Sequence, residues 1–482
     1  MTKGKVYIRV DGSAEIGLGH VIRCLALAEM IKSDFVVHFV CKEIPVAVEN
    51  QVTECGILLT RIELEQDFFN LLSGDDIVVL DHYNFGCDYH KQVKALGIKL
   101  VCIDDLHDKA FYADLVINHS PGLVPQNYNA LPYTQFALGL DYALLRPPFL
   151  TQAKQMRKID RIKSVFICFG GSDPKNLTAQ VLKVVLDYQS FAQIIVVTGA
   201  GYAELDSLTP IVANVAWVRH YHAVTESEML KLMLEAELVI VPASGILLEA
   251  LAVKSCVISG SYVENQKRLF KNFKDIKAFV SAEDFSNSYL KSALNEVLQR
   301  TEFASILIDG RSPERILKLF GQLKTEKQVT LRRAQMSDLA ITYSWATDKA
   351  IRSFSFGGDD IKPDEHERWF ESRLESNTCV YYMAEINSQA VGSIRFDIED
   401  QEAVISYLID SHYHNKGLGV ILLRAGIAAL IDENLANLRC ISGLVMPANR
   451  ASCKVFEKLG FTVTNKGKNF KYTYLIETIH AN

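Results

Sequence analysis

From residue 5 the chain alternates short β-branched runs with helical stretches: VYIRV and a helix from about Gly19, then VVHFVC, DIVVLD, KLVCIDD and DLVIN. Apolar strands separated by helices bury both of their faces in a parallel, doubly wound sheet. The rhythm lapses at RPPFLTQAKQMRKIDRIK, a Pro pair followed by a charged amphipathic stretch, and resumes with SVFICF, IIVVTG, VAWVRHY, LVIVPA and SCVISG. A second such sheet is expected there, with the ligand at the carboxyl ends of the strands, in the cleft between the two. After a helical 311–325 and the segment TEKQ, the pattern turns antiparallel with VYYMAEI, AVGSIRFDI and EAVISYLID. The expected fold class is therefore α/β, with Rossmann-like domains over 1–146 and 147–325, then an α+β domain over 329–482; 482 residues are too many for one core.

The charge balance, 51 Lys and Arg against 57 Asp and Glu, gives a net −6. No global basic field exists to hold a phosphate backbone or an anionic membrane, so neither nucleic acid nor membrane is an expected partner. A hydrophobic content of 49% excludes bulk disorder. The ten cysteines are scattered singly, without CxxC or a carboxylate-rich cluster, so no metal is expected. MTKGKVYIRVDGS reaches a polar turn before a secretory apolar region forms, and no apolar window of membrane-spanning length follows. A cytoplasmic location is expected.

The strongest local feature is RVDGSAEIGLGHVIRCLALAEMI, where a strand ends at Val10, a loop with Asp11 and Gly19 follows, and His20 and Arg23 share the first turn of a helix. Small residues there let backbone N–H groups approach an anion, and an imidazole at a cleft mouth has the pKa range to take a proton from water. A dinucleotide site is rejected: GLGHVI has two of the three glycines, and the loop before it is too long. Asp81, His82 and Tyr83 close the strand DIVVLD, where either cleft residues or caps of the next segment belong. Gly170, Gly171 and Ser172 follow SVFICF, and Ser244 and Gly245 open the helix of PASGILLEAL; both places offer backbone donors to a diphosphate.

Residues 1–310 resemble the nucleotide-sugar hydrolases of pseudaminic acid biosynthesis. The matching text comprises RVDGSAEIGLGHVIRCLALA, LDHY at 80–83, IDD at 103–105, YALLR at 142–146, CFGGSDPKNLT at 168–178, PASGILLEAL at 242–251 and YVENQ at 262–266. The resemblance implies two domains in the glycosyltransferase-B arrangement and release of UDP from a UDP-2,4-diacetamido-2,4,6-trideoxy sugar. It implies that His20 acts on the attacking water with Asp11 and Arg23 as polar neighbours, that Glu249 accepts hydrogen bonds from a ribose diol, and that Asn265 and Gln266 face the sugar.

In AVISYLIDSHYHNKGLGVILLRAGIAAL a strand delivers a basic glycine loop into a helix, and consecutive N–H groups over 414–419 suit a pyrophosphate. With PANRASCKVFEKLGF some thirty residues on, 329–482 resembles the GNAT N-acetyltransferases. That resemblance implies acetyl-CoA as co-substrate, bound by His414, Asn415, Lys416, Gly417, Leu418 and Gly419, with Asn449 and Ser452 near the pantetheine arm. Two positions depart from the family pattern: His414 stands where Gln or Arg is usual, and Phe456 where a tyrosine often protonates the departing thiolate. Tyr407, Tyr472 and Tyr474 are candidate acids by type. His366 and Trp369 share a helix face, and Asp359, Asp360 or Glu367 would suit a sugar ammonium or a solvated face.

The expected function is bifunctional: N-acetylation of a UDP-4-amino-4,6-dideoxy sugar, then hydrolysis of the product to UDP and free sugar. A glycosyltransferase of the same fold, and a UDP-sugar-binding module fused to an active acetyltransferase, are the alternatives.

Overall fold

The computed structural model describes residues 3–13, 17–188, 190–300, 308–354, 360–414, 417–433, 435, 438–466 and 468–476. The chain forms two compact units: Met1–Asp108 with Val116–Asn127 and Phe136–Lys318, and Lys109–Leu115 with Tyr128–Gln135 and Leu319–Asn482.

The first sheet of the first unit uses β1 (Gly4–Val10), β2 (Phe35–Cys41), β3 (Leu58–Arg61), β4 (Ile77–Asp81) and β5 (Lys99–Ile103). Two short strands, β6 (Ala110–Phe111) and β8 (Asn129–Ala130), flank β7 (Leu115–Asn118), and β9 (Gln135–Leu138) follows. The order is β3-β2-β1-β4-β5-β7-β9, with β1, β2, β3, β4 and β5 paired in parallel. A second sheet is built from β10 (Ser164–Ile167), β11 (Gln193–Thr198), β12 (Val218–His222), β13 (Leu238–Pro242), β14 (Cys256–Gly260) and β15 (Val280–Ser281). Its order is β12-β11-β10-β13-β14-β15, and every pair is parallel. The β-branched runs are buried on both faces, as the alternation requires.

Strand order reverses at β1/β4 and at β10/β13, where crossovers leave on opposite faces and open a crevice. The loops at the carboxyl ends of the two sheets meet: Leu18 Cδ1 lies 3.7 Å from where a Cβ on Gly171 would stand, and the Tyr83 hydroxyl bonds with the Asn265 side chain. Two Rossmann-like sheets with facing carboxyl ends are the glycosyltransferase-B layout.

The second unit carries β16 (Val329–Arg333), β17 (Cys379–Ile386), β18 (Gln389–Glu399), β19 (Glu402–Ile409), β20 (Cys440–Val445), β21 (Thr462–Lys466) and β22 (Asn469–Leu475), ordered β16-β17-β18-β19-β20-β22-β21. All pairs within this sheet are antiparallel except β19 with β20. The helix Leu418–Asp432 packs Leu422, Leu423 and Ile427 into the core with Ile394, Phe396 and Ile441.

Segments 109–115 and 128–135 belong to this unit although they flank β7 of the first sheet. There β6 pairs with β8, Phe111 packs edge-on against Tyr128, and Tyr133 joins the buried cluster of Val329, Val380 and Tyr382. The segment TEKQ, read as a boundary, is the last turn of a continuous helix, Ser312–Gln328. The reason is Glu326, which is 4% exposed and paired with the equally buried Arg424; Arg424 Nη2 also donates to Gln135 Oε1 at 2.7 Å. A carboxylate on an exposed linker would not need a buried guanidinium.

Candidate active site

In the first unit β1 delivers the chain into a loop closed by an isolated bridge between Ser13 and Gly17. Gly12 is dictated by packing, since a Cβ there would lie 2.6 Å from Val21 Cγ2. The helix Gly19–Ile31 then buries almost every side chain, and the three-residue spacing puts His20 and Arg23 on one face, toward the end of β4. Asp81, at that end, accepts from His20 Nδ1 (2.6 Å) and Arg23 Nη2 (2.6 Å) on Oδ1, and from Arg23 Nε (2.6 Å) and Cys24 Sγ (3.4 Å) on Oδ2. Arg23 Nη1 reaches both oxygens of Asp105, at 2.7 and 2.6 Å.

This geometry assigns the tautomer. A carboxylate only accepts, so His20 Nδ1 carries the hydrogen on its bond to Asp81, and Arg23 Nη2, 3.1 Å from the same nitrogen, serves Asp81 instead. The lone pair is left on Nε2. Burial raises the Asp81 carboxyl, but Arg23 and His20 outweigh it and hold the group well below the usual carboxylate range; burial and Arg23 oppose each other in the same way at Asp105, also with a net lowering. An ionised Asp81 keeps the imidazole oriented and supports the imidazolium that forms when Nε2 takes a proton.

Because both carboxyls fall below their unfolded values, the unfolded chain binds more protons as the pH drops toward the folded values. The stability they contribute is complete above about pH 5 and is lost in acid. Urea midpoints for the whole protein between pH 3 and pH 7 should therefore rise with pH, and Arg23→Met should flatten that rise. An unchanged slope in Arg23→Met would show that the pairing does not hold these carboxyls down.

Asp11 is engaged by other partners. Its Oδ1 accepts from the amides of Lys42 (2.6 Å) and Glu43 (3.2 Å) and pairs with Arg9 at 2.7 Å, fixing the turn after β2, so the carboxylate beside His20 is Asp81. His82 Nδ1 accepts from Asn84 N, and burial lowers its pKa. Tyr83 sets its ring edge-on to His20 at 4.7 Å, with its hydroxyl 3.5 Å from Asp105 and pushed up to about 12 by burial and Asp105. Gly19 opens the His20 helix.

On the facing sheet the donors of the helix Leu177–Leu186 are already used: Asp173 accepts from the amides of Leu177 (2.9 Å) and Thr178 (2.7 Å). An anion there would meet the turn Gly170, Gly171 and Ser172, ahead of the helix itself. Ser244 caps the helix Gly245–Ala252 in extended backbone and makes no side-chain cap bond. Glu249 lies farther along that helix and holds Arg146 in a bidentate pair at 2.7 and 2.9 Å, so a ribose diol would share its oxygens with a guanidinium. Asn265 is exposed beside Tyr83, whereas Gln266 is buried and accepts from Tyr262 N.

Sequence reasoning missed three residues. Asp105 and Arg146 lie inside quoted motifs, and His119 directly follows β7, next to β5 in the sheet; position at a strand's carboxyl end was the available signal. His119 is 5% exposed, burial pushes its pKa down to about 4 against the pull of Asp105, and its Nδ1 has no hydrogen-bond partner among the described residues.

In the second unit the helix Leu418–Asp432 starts from Gly417 in the left-handed region (φ 81°), which glycine adopts without strain. Leu418 is buried, and a Cβ on Gly419 would stand 3.1 Å from Val455 Cγ2. His414 Nε2 lies 3.0 Å from the Ile409 carbonyl and donates to it. Asn415 and Lys416 lie outside the described residues, as does Asp359. Asn449 caps the helix Arg450–Lys458 by accepting from Ser452 N. His366 is buried against Thr342 with its ring tilted against Trp369, whose ring also lies under Arg395, so the pair is packed; Asp360 and Glu367 are exposed. Among the described residues no group of three His, Cys, Asp or Glu is placed to hold a metal ion, and no helix is long and apolar enough to cross a membrane.

Residues 328–462 match the family described as an acetyltransferase (GNAT) domain. The chain is 29% identical over 274 residues to the UDP-2,4-diacetamido-2,4,6-trideoxy-beta-L-altropyranose hydrolase of Campylobacter jejuni, covering 55% of this chain and 93% of that protein. It is 25% identical over 491 residues to an uncharacterised protein of Methanocaldococcus jannaschii, covering 98% of this chain and 99% of that one. Among solved structures, the spermidine N-acetyltransferase from Vibrio cholerae in complex with CoA and spermine matches with a TM-score of 0.28 and 20% identity, over 31% of this chain and 96% of that one. The chain is a fusion of a region similar to a UDP-sugar hydrolase with a GNAT acetyltransferase domain.

Proposed function

We propose that this sugar-nucleotide-related enzyme with its acetyltransferase domain uses acetyl-CoA to N-acetylate the 4-amine of a UDP-4-amino-4,6-dideoxy sugar that already carries a 2-acetamido group, then hydrolyses the resulting UDP-2,4-diacetamido-2,4,6-trideoxy sugar. The observation that carries the hydrolytic half is the Asp81–His20 pair, with Nδ1 committed to the carboxylate and the lone pair on Nε2. His20 takes the proton of one water as its oxygen attacks the anomeric carbon; the C–O bond to the diphosphate breaks and UDP leaves with the electron pair. UDP is a good leaving group, so the remaining work is to hold it and to admit a single water. Ser244, Gly245 and the turn at Gly170, Gly171 and Ser172 are the proposed diphosphate donors, Glu249 with Arg146 the ribose contact, and Tyr83 and Asn265 the sugar contacts.

The test is incubation of the whole protein with UDP-diacetamido sugars of different configuration, without acceptor, in ¹⁸O-labelled water. UDP and free sugar labelled at the anomeric oxygen are expected. Release of UDP only after an acceptor alcohol is added would make the enzyme a glycosyltransferase, and tight binding without release would make this region a binding module.

A further inference from the structure

An acyl group leaving CoA abandons a thiolate, and the departure is easier when a hydroxyl delivers a proton to it. Phe456 has none to give. Its ring is 2% exposed, stacked on Tyr472 at 5.2 Å, and so close to β20 that a Cβ on Gly443 would lie 2.4 Å from Cζ; it fills the core.

Of the seven tyrosines in this domain, the three candidates Tyr407, Tyr472 and Tyr474 differ in their surroundings. Tyr472 is 1% exposed and its hydroxyl donates to Glu457; Tyr474 lays its ring against Phe461. Tyr407 stands where β19 and β20 part. Their parallel pairing runs from Glu402 with Cys440 to Ile405 with Gly443 and stops there, while β19 stays paired to β18 as far as Ile409. Beyond Ile405 the inner edges of both strands have no ladder partner in each other, which opens a wedge lined by backbone donors and acceptors. Tyr407 is half-buried at the mouth of this wedge: its Cε2 lies 3.9 Å from where a Cβ on Gly419 would stand, and its hydroxyl is 2.8 Å from Ser452 Oγ. Ser452 is fixed in turn, because its amide donates to the Asn449 side chain. The glycine loop, the wedge and a supported hydroxyl therefore converge on one residue.

We propose that Tyr407 donates the proton to the departing CoA sulfur, with Ser452 as a positioning residue that donates its own hydroxyl hydrogen to the Tyr407 oxygen. The proposal rests on the reading of this domain as an acetyl-CoA-dependent N-acetyltransferase. The acceptor amine's lone pair forms the C–N bond, the C–S bond breaks with its electron pair on sulfur, and the Tyr407 O–H proton passes to sulfur to give free CoA thiol. The nitrogen loses one proton to water, and the phenolate regains one from water. Burial pushes the Tyr407 hydroxyl up to about 12, so it stays protonated until needed, while the bond from Ser452 works the other way and eases the loss.

The test uses the full chain, acetyl-CoA, and four amines: a UDP-4-amino-4,6-dideoxy sugar, glucosamine, spermidine and a peptide with a free N-terminus. Release of CoA thiol is followed by a thiol reagent, and acetyl-CoA affinity by calorimetry. Tyr407→Phe should lower kcat by about 10²-fold, the low end for a general acid, with acetyl-CoA affinity within threefold of the parent. Ser452→Ala should lower kcat about tenfold with the same binding. A Tyr407→Phe kcat within threefold of the parent, or a loss of turnover matched by a loss of acetyl-CoA binding, would overturn the proposal. If the parent acetylates another amine but not the UDP-sugar, the acceptor assignment fails while Tyr407 is judged on the amine that reacts; if no amine yields thiol, both fail.

Discussion

His20→Ala is expected to slow UDP release by roughly 10²–10⁴-fold while the dissociation constant for UDP stays within a few-fold of the parent. The rate falls because alanine leaves Asp81 and Arg23 paired with each other but removes the imidazole that Asp81 orients, so water must attack without that base. Affinity is kept because the proposed diphosphate donors lie on the other sheet, at Gly170 to Ser172 and at Ser244 and Gly245. Asp81→Asn is the companion variant: an amide can donate to Nδ1, which turns the imidazole to the tautomer with its lone pair at the wrong nitrogen. Single-turnover release of UDP, read beside calorimetric UDP binding, separates these outcomes. Loss of UDP binding together with activity in His20→Ala would make the histidine a binding or folding residue.

A second large effect lies far from either chemistry. Arg424→Met should destabilise the second unit by about 3–5 kcal/mol, because it leaves the Glu326 carboxylate buried without its guanidinium and the Gln135 amide oxygen without its donor. Removing the second charge as well, in Arg424→Met with Glu326→Leu, should recover most of that loss, since a buried ion pair replaced by apolar volume is often neutral. Urea unfolding of the four proteins in the cycle measures the coupling. Equal stability of Arg424→Met and the parent would mean that Arg424 is not what compensates the buried Glu326 charge.

The parallel sheets were legible because a strand buried on both faces is apolar along its whole length, and runs such as IVVLD advertise that state. The residues that close such strands were legible for the same reason, and Asp81 was read as one of them. Its pairing with His20 was not: the two are separated by 61 positions, and sequence adjacency pointed instead to Asp11, whose carboxylate is consumed by the amides after β2. Asp173 was hidden similarly, since only the turn geometry shows that it occupies the helix donors a phosphate would use. TEKQ reads as solvated because Glu and Lys are usually exposed, and nothing local betrays that Glu326 meets Arg424 98 positions later. Phe456 announced a missing hydroxyl, but only the divergence of β19 from β20 distinguishes Tyr407 from the other tyrosines.

The placement of 109–115 and 128–135 has a consequence for how the protein is made. Synthesis runs from the N-terminus, and the strip bearing Phe111 and Tyr133 is finished about two hundred residues before β16 begins and about 340 before β22 ends. At roughly 5–20 residues per second, the strip waits about 10–40 s for its first partner and longer for its last. During that interval Tyr133 lacks the buried partners Val329, Val380 and Tyr382. A transcript cut short before β17 would therefore leave Tyr133 without Val380 and Tyr382, two of the buried side chains it joins in the finished chain.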